Sequence, residues 1–292
     1  MMKKIQIIDS FTLKVIALIS MFIDHFAATV LTFFEMAAYE DRKGSVCGIT
    51  ISILNAINNN MEMFQKIILI MRIIGRVAFP IYCFLLVKGF TYTRCKWKYA
   101  LRLLVFAFIS ELPFDIAFND IKRAEFVMYN NVFFTLFIGL IFIWGIDYIC
   151  KFKDELIKKY KKQNSENVMD KQIKLKCVGI EMLRIMALVV FSIVIYVLTI
   201  LCSSDYGMAG VMCILAMYIW RKNNIVSFVI GTLLVYFITC NSLQLFALMG
   251  VIPIIMYNEK KGKSMKWLFY IFYPAHLTAF VLISIWLGIY NF

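Results

Sequence analysis

Apolar runs long enough to cross a membrane recur along this chain, and the cations gather in the gaps between them. Roughly 20 apolar residues in a helix cross the hydrocarbon core of a bilayer. Only helices and closed barrels can do so, because every backbone polar group needs a partner within the protein. A barrel would show alternating segments of about ten residues, whereas these runs are unbroken. The 292 residues include only 4 prolines and 13 glycines, which also suits helices. At 62% hydrophobic and 17% charged, the chain is too apolar for a water-soluble domain of its length. The expected fold is all-α: one polytopic membrane helix bundle over residues 1–292, with about nine to ten transmembrane helices.

Nine spans are expected, at 13–34, 67–90, 99–118, 132–150, 181–202, 207–220, 225–240, 243–257 and 267–289, with an interfacial helix possible within 44–66. If the chain crosses at each span, Lys3 and Lys4, the group Arg94 to Arg102, a basic linker over 151–178, Arg221 with Lys222, and Lys260 to Lys266 share one side. Glu35, Glu40, Asp41, Asp120, Glu125 and Asp205 fall on the other. Cationic loops stay in the cytoplasm, so the N-terminus is expected there, with the protein in the cell membrane. The first run is too long for a cleavable signal peptide and no small-residue cleavage motif follows it. Because the net charge of +13 is spread over such loops, nucleic acid is not an expected partner, whereas the lipid bilayer is. Eight cysteines without CxxC or a His-paired spacing support neither a disulfide framework nor a metal site.

Ionisable residues inside apolar runs are costly, about 2.5–3.5 kcal/mol per charge on insertion scales, and they point to function. The chain has two histidines, His25 and His276, and both lie in such runs. Arg72 and Arg76 share one helix face in the second span, as do Glu111 and Asp115 in the third. Counting depth at about 1.5 Å per residue predicts two ion pairs, Arg72–Asp115 and Arg76–Glu111, and gathers both histidines into one polar layer. Asp24 lies on a different helix face from His25 and is expected to orient another group.

The chemistry on offer is limited. No nucleophile elbow, HExxH, Gly-rich phosphate loop or metal-ligand spacing occurs. What remains is a histidine base, with arginines able to polarise a carbonyl or hold a phosphate. Such a set suits acyl transfer without a covalent intermediate, and equally proton-coupled transport. The segment Lys88 to Arg102 interleaves cations with aromatics. It reads either as an ordinary cytoplasmic loop or as a diphosphate and adenine site with Trp97 or Tyr99 stacking on the base.

Five segments together resemble the TraX family of membrane proteins: Leu13-Lys14 to Asp24-His25, Arg72-Ile-Ile-Gly-Arg76 to Pro80, Ser110-Glu-Leu-Pro-Phe-Asp115, Asn130 to Thr135, and Phe272-Tyr-Pro-Ala-His276. The resemblance implies a membrane acyltransferase that moves acetyl from cytoplasmic acetyl-CoA to an acceptor outside. That acceptor would be a peptide N-terminus as in a pilin-like protein, a glycan hydroxyl or a small metabolite. Related acyltransferases carry a basic residue about ten positions ahead of the histidine, which Lys14 and His25 match. By resemblance His25 becomes the base and His276 its last-span companion. Asp24 becomes an orienting group, Arg76 an oxyanion donor, and Glu111 the residue that keeps Arg76 in place. Lys14, Arg72, Arg94, Lys98 and Arg102 become candidates to hold acetyl-CoA, with no metal required. The rival readings are a proton-coupled transporter or flippase and a non-catalytic subunit of a conjugation or secretion apparatus.

Overall fold

The computed structural model describes residues 6–39, 48–118, 130–163 and 170–290. Among these residues the secondary structure is helical, with two isolated bridges, Ile8 to Tyr257 and Asn130 to Ser204. Helix α1 (Ser10–Phe26) starts where Asp9 caps it, its Oδ1 accepting from the Thr12 N–H at 2.8 Å. Two residues past His25 the chain widens into a π-helical stretch, Ala27–Leu31, and then resumes as α2 (Thr32–Tyr39). The Thr29 hydroxyl donates to the His25 carbonyl at 2.6 Å across this change of register.

Helices α3 (Gly48–Asn59) and α4 (Met61–Gly75) follow. At Gly75 the helix tightens, with Arg76 N–H bonding Ile73 O at 3.2 Å and Val77 N–H bonding Ile74 O at 3.4 Å. Helix α5 (Ala78–Tyr92) then begins, with Pro80 in its first turn, where a missing N–H breaks no helical bond. Next come α6 (Lys96–Phe118), α7 (Val132–Gln163), α8 (Asp170–Cys202), α9 (Gly207–Ile219) and α10 (Asn224–Thr239). A 3-10 stretch (Ser242–Gly250), α11 (Val251–Ile255) and α12 (Lys266–Trp286) complete the described chain.

The nine expected spans differ in length. Five helical stretches among the described residues are long and apolar enough to cross a membrane: Ser10–Ala38, Met61–Tyr92, Val132–Tyr160, Leu175–Cys202 and Trp267–Trp286. Helices α9 and α10 have 13 and 16 residues, and at about 1.5 Å per residue they fall short of a bilayer's thickness. The run expected at 243–257 is the 3-10 stretch and α11, short as well. Helix α6 is long enough at 23 residues but carries Lys96, Lys98, Arg102, Glu111 and Asp115.

The basic stretch 151–178 joins the fourth and fifth expected spans and is helical over much of its described length. Residues 151–163 continue α7 and 170–178 belong to α8, while 164–169 lie outside the described residues. Lys153 reaches Glu181 at 3.6 Å, bracing the two helices against each other. Of the expected interfacial segment, 48–59 and 61–66 are helical and 44–47 lies outside the described residues, as do Lys3, Lys4, Glu40, Asp41, Asp120 and Glu125.

Helices α1, α5, α6, α7, α9, α10 and α12 share one core, with Leu13, Ile81, Phe84, Leu140, Ile214 and Leu277 among its buried members. Helix α8 stands at its margin: only 11% of its apolar window is buried inside the protein, against 50% for α7.

Candidate functional site

The described helices enclose a cavity of about 960 Å³. One end holds Asp24, His25, Arg72, Arg76, Asp205 and Tyr206. At the other lie Ser10, Lys14, Lys88, Arg102, Glu259 and Lys261. Lys14 and His25 sit on α1, so the two ends are about 16 Å apart along that helix axis.

At the first end, Asp24 is the organiser. Its Oδ2 accepts from Arg72 Nη1 and its Oδ1 from Arg76 Nη2, each at 2.8 Å. The expectation that Asp24 orients a group other than His25 therefore holds. The expected pairs Arg72–Asp115 and Arg76–Glu111 do not form. Glu111 instead accepts from Asn131, whose side chain also donates to the Ala107 carbonyl at 2.8 Å and whose Oδ1 caps α7. Counting depth along two antiparallel helices could not reveal a third helix, α1, that supplies the carboxylate instead. Arg76 is also held locally, its Nε donating to the Arg72 carbonyl at 3.1 Å. Gly75 makes the cluster possible: a Cβ there would lie 2.2 Å from the Asp24 Cβ.

Both histidines meet as the shared polar layer required. His25 Nδ1 and His276 Nε2 are 2.7 Å apart, and His276 Nδ1 lies 2.7 Å from the Phe272 carbonyl oxygen. A carbonyl can only accept, so His276 carries its proton on Nδ1. Neutral imidazole has one N–H, which leaves His276 Nε2 as the acceptor and His25 Nδ1 as the donor. His25 Nε2 then carries the free lone pair. Because His25 lines the cavity and His276, only 4% exposed, does not, the second ring acts from behind the first. Phe118 and Tyr273 pack edge-on against His25 at 5.4 and 5.7 Å between centroids, fixing the ring's plane.

Residues 203–206 close this end. Asp205 N–H bonds the Asn130 carbonyl at 2.8 Å, and the Tyr206 ring lies flat on Phe79 with centroids 3.7 Å apart. Asp205 is open to the cavity yet ringed by protein atoms. That enclosure pushes its carboxyl up to about 6, against the downward pull of Arg76.

At the basic end, the expected donors divide. Lys14 and Arg102 line the cavity, Lys14 with its Nζ 5.5 Å from the centre of the Phe269 ring. Arg94 and Lys98 are exposed and do not line it. Tyr99 lines it, whereas Trp97 is 62% exposed outside it. Arg72, also expected to hold the donor, belongs to the opposite end. Lys88 and Lys261 were missed. Lys88 is the sole cation of a buried apolar helix, α5 beyond its first turn, and the rule that singled out His25 applied to it as well. Reading it as part of the adjoining basic loop hid that signal. Asp205 and Tyr206 gave no signal of their own, since only the fold brings that loop to α4.

A protein-family model described as "TraX protein" matches residues 10–284 of the chain. A curated protein of Dichelobacter nodosus, described as "Probable fimbrial assembly protein FimC, serogroup H1", is 42% identical over 77 residues, 24% of this chain and 31% of that protein. The chain thus spans about a third of the length of this relative. No solved structure matches the chain.

Proposed function

Because the chain belongs to the TraX family, we propose that it is a membrane-embedded acyltransferase, taking acetyl from cytoplasmic acetyl-CoA to an amine or hydroxyl acceptor on the outer side. The observation that carries this reading is the cavity, which joins a basic end to a lining histidine with a free ring lone pair. The N-terminus is cytoplasmic in this scheme, since that orientation leaves the basic loops inside. The helix bundle, counting α6 and the short apolar helices, forms about nine crossings or partial crossings of the bacterial cytoplasmic membrane.

The residues divide the chemistry between them. Lys14 and Arg102 attract the donor's phosphates at the basic end, and the donor's acyl arm lies along the cavity. His25 Nε2 takes the proton from the acceptor's amine or hydroxyl as it attacks the thioester carbonyl. The imidazolium formed is steadied through His276, whose orientation the Phe272 carbonyl fixes. Arg76, held by Asp24, stabilises the oxyanion, and the C–S bond then breaks with the proton passing to the departing thiolate. The fimbrial-assembly description of the relative favours a peptide of pilin type as acceptor over a glycan.

Detergent-purified protein should bind acetyl-CoA and turn it over slowly, and His25→Ala should lower turnover by about 10²–10⁴-fold with binding retained. A wild-type protein that neither binds nor cleaves acetyl-CoA would sink the reading. The broken helix at Gly75 and the elongated cavity would then favour a transport pathway.

A further inference from the structure

Four cations line the basic end of the cavity, Lys14, Lys88, Arg102 and Lys261, and Glu259 is the carboxylate among them. Glu259 Oε1 accepts from Lys88 Nζ at 3.2 Å and from Asn224 Nδ2 at 3.1 Å. Those two bonds, Asn224 first, hold its carboxyl below the usual range, so it is ionised at neutral pH. Lys88 is 9% exposed, a buried cation that needs an anionic partner.

The carboxylate reaches Lys88 from an unusual backbone. Glu259 has φ +62, a left-handed conformation that residues with a Cβ rarely adopt. Its loop is anchored on both sides, with Asn258 N–H bonding Ile8 O at 2.8 Å and Ser10 N–H bonding Lys260 O at 2.8 Å. Strain kept in an otherwise anchored loop is a mark of a working site. Two further features are unspent. Arg102 Nε is buried without a hydrogen-bond partner among the described residues. Tyr92, 65% exposed, offers a ring face at the cavity's edge.

We propose that the basic end of the cavity is a nucleoside-phosphate site in which Glu259 is a built-in stand-in for the ligand, holding Lys88 until a phosphate takes its place. Lys88 and Lys261 then contact phosphate directly, Arg102 supplies its unused donor, and Tyr92 stacks on the base. Glu259 keeps Lys88 positioned and the rim closed in the empty state. This deepens the acetyl-donor reading and rests on it only for the ligand's identity.

The test is equilibrium binding of coenzyme A, inorganic pyrophosphate and pantetheine to the purified full-length protein. Glu259→Gln should tighten coenzyme A and pyrophosphate by about fivefold, the size of a half-exposed ion pair lost, and leave pantetheine unchanged. Lys88→Gln should weaken the two phosphate ligands by about tenfold. In that background Glu259→Gln should do nothing further. Glu259→Gly removes the same carboxylate and suits the left-handed backbone, so it replaces the glutamine variant should that one fold poorly. Unchanged or weaker phosphate binding in a folded Glu259 variant overturns the proposal. Coenzyme A binding and turnover with no Glu259 effect keeps the donor reading and removes the stand-in. Pyrophosphate tightening without coenzyme A binding keeps the stand-in and removes the donor reading. If the wild type binds none of the three, both fall.

Discussion

At the scale of single residues, the site depends on what one side chain lacks. Gly75 lies against Asp24, and a methyl group there would come within 2.2 Å of the Asp24 Cβ, an atom too close to the backbone to move cheaply. Gly139 is as crowded, 2.3 Å from Ile214, but its neighbour is the far Cδ1 of a flexible side chain. Gly75→Ala should therefore destabilise the protein by about 1–3 kcal/mol and lower acetyl transfer at least tenfold, while Gly139→Ala should spare transfer. Equal effects of the two in thermal melts and transfer assays would remove the clamp from the mechanism. His25, Asp24, Arg72 and Arg76 were legible in the sequence because ionisable residues in apolar runs are conspicuous. Their pairing was not, since Asp24, Asp115 and Glu111 are equally plausible partners until three helices are assembled. The direction of the histidine pair was hidden too, because it rests on the Phe272 backbone carbonyl, which no side-chain pattern encodes.

At the scale of elements, helix boundaries were the least legible part. Charge density marked 151–178 as a basic linker without giving its conformation; lysine and glutamate are good helix formers, and α7 and α8 run on through much of it. Hydropathy merged or split segments wherever a helix broke at Gly75 or proved too short, as in α9 and α10. The apolar character of α8 was plain, and the fold adds that its face stays uncovered: Val189 is 53% exposed and Ile193 57%. If lipid covers that face, Val189→Asp puts a charge near mid-membrane at a cost of about 2.5–3.5 kcal/mol. Its yield in the alkali-washed membrane fraction should drop severalfold. Normal yield would mean that α8 faces water or a partner instead.

At the scale of the whole molecule, the cavity matters because it lets two remote groups work together. Met21 lines it between the levels of Lys14 and His25 on α1. Met21→Trp should fill the passage without touching either end. Transfer should then fall more than tenfold while coenzyme A affinity changes less than about threefold, given that affinity arises from the phosphates at the basic end. A parallel loss of both would mean that the ends are not separate sites.

The same passage has an electrical consequence. On the proposed reading it links two compartments at different voltage, where each elementary charge is worth about 2.3 kcal/mol per 100 mV. A column of water running through it would drain that store of energy. Phe79 lying flat on Tyr206 narrows the outer end. Two guanidinium groups are held there by Asp24 and faced by Asp205, so a crossing ion meets fixed charges that already have partners rather than mobile water. The arrangement that positions the catalytic apparatus would thus also serve as the membrane's insulation.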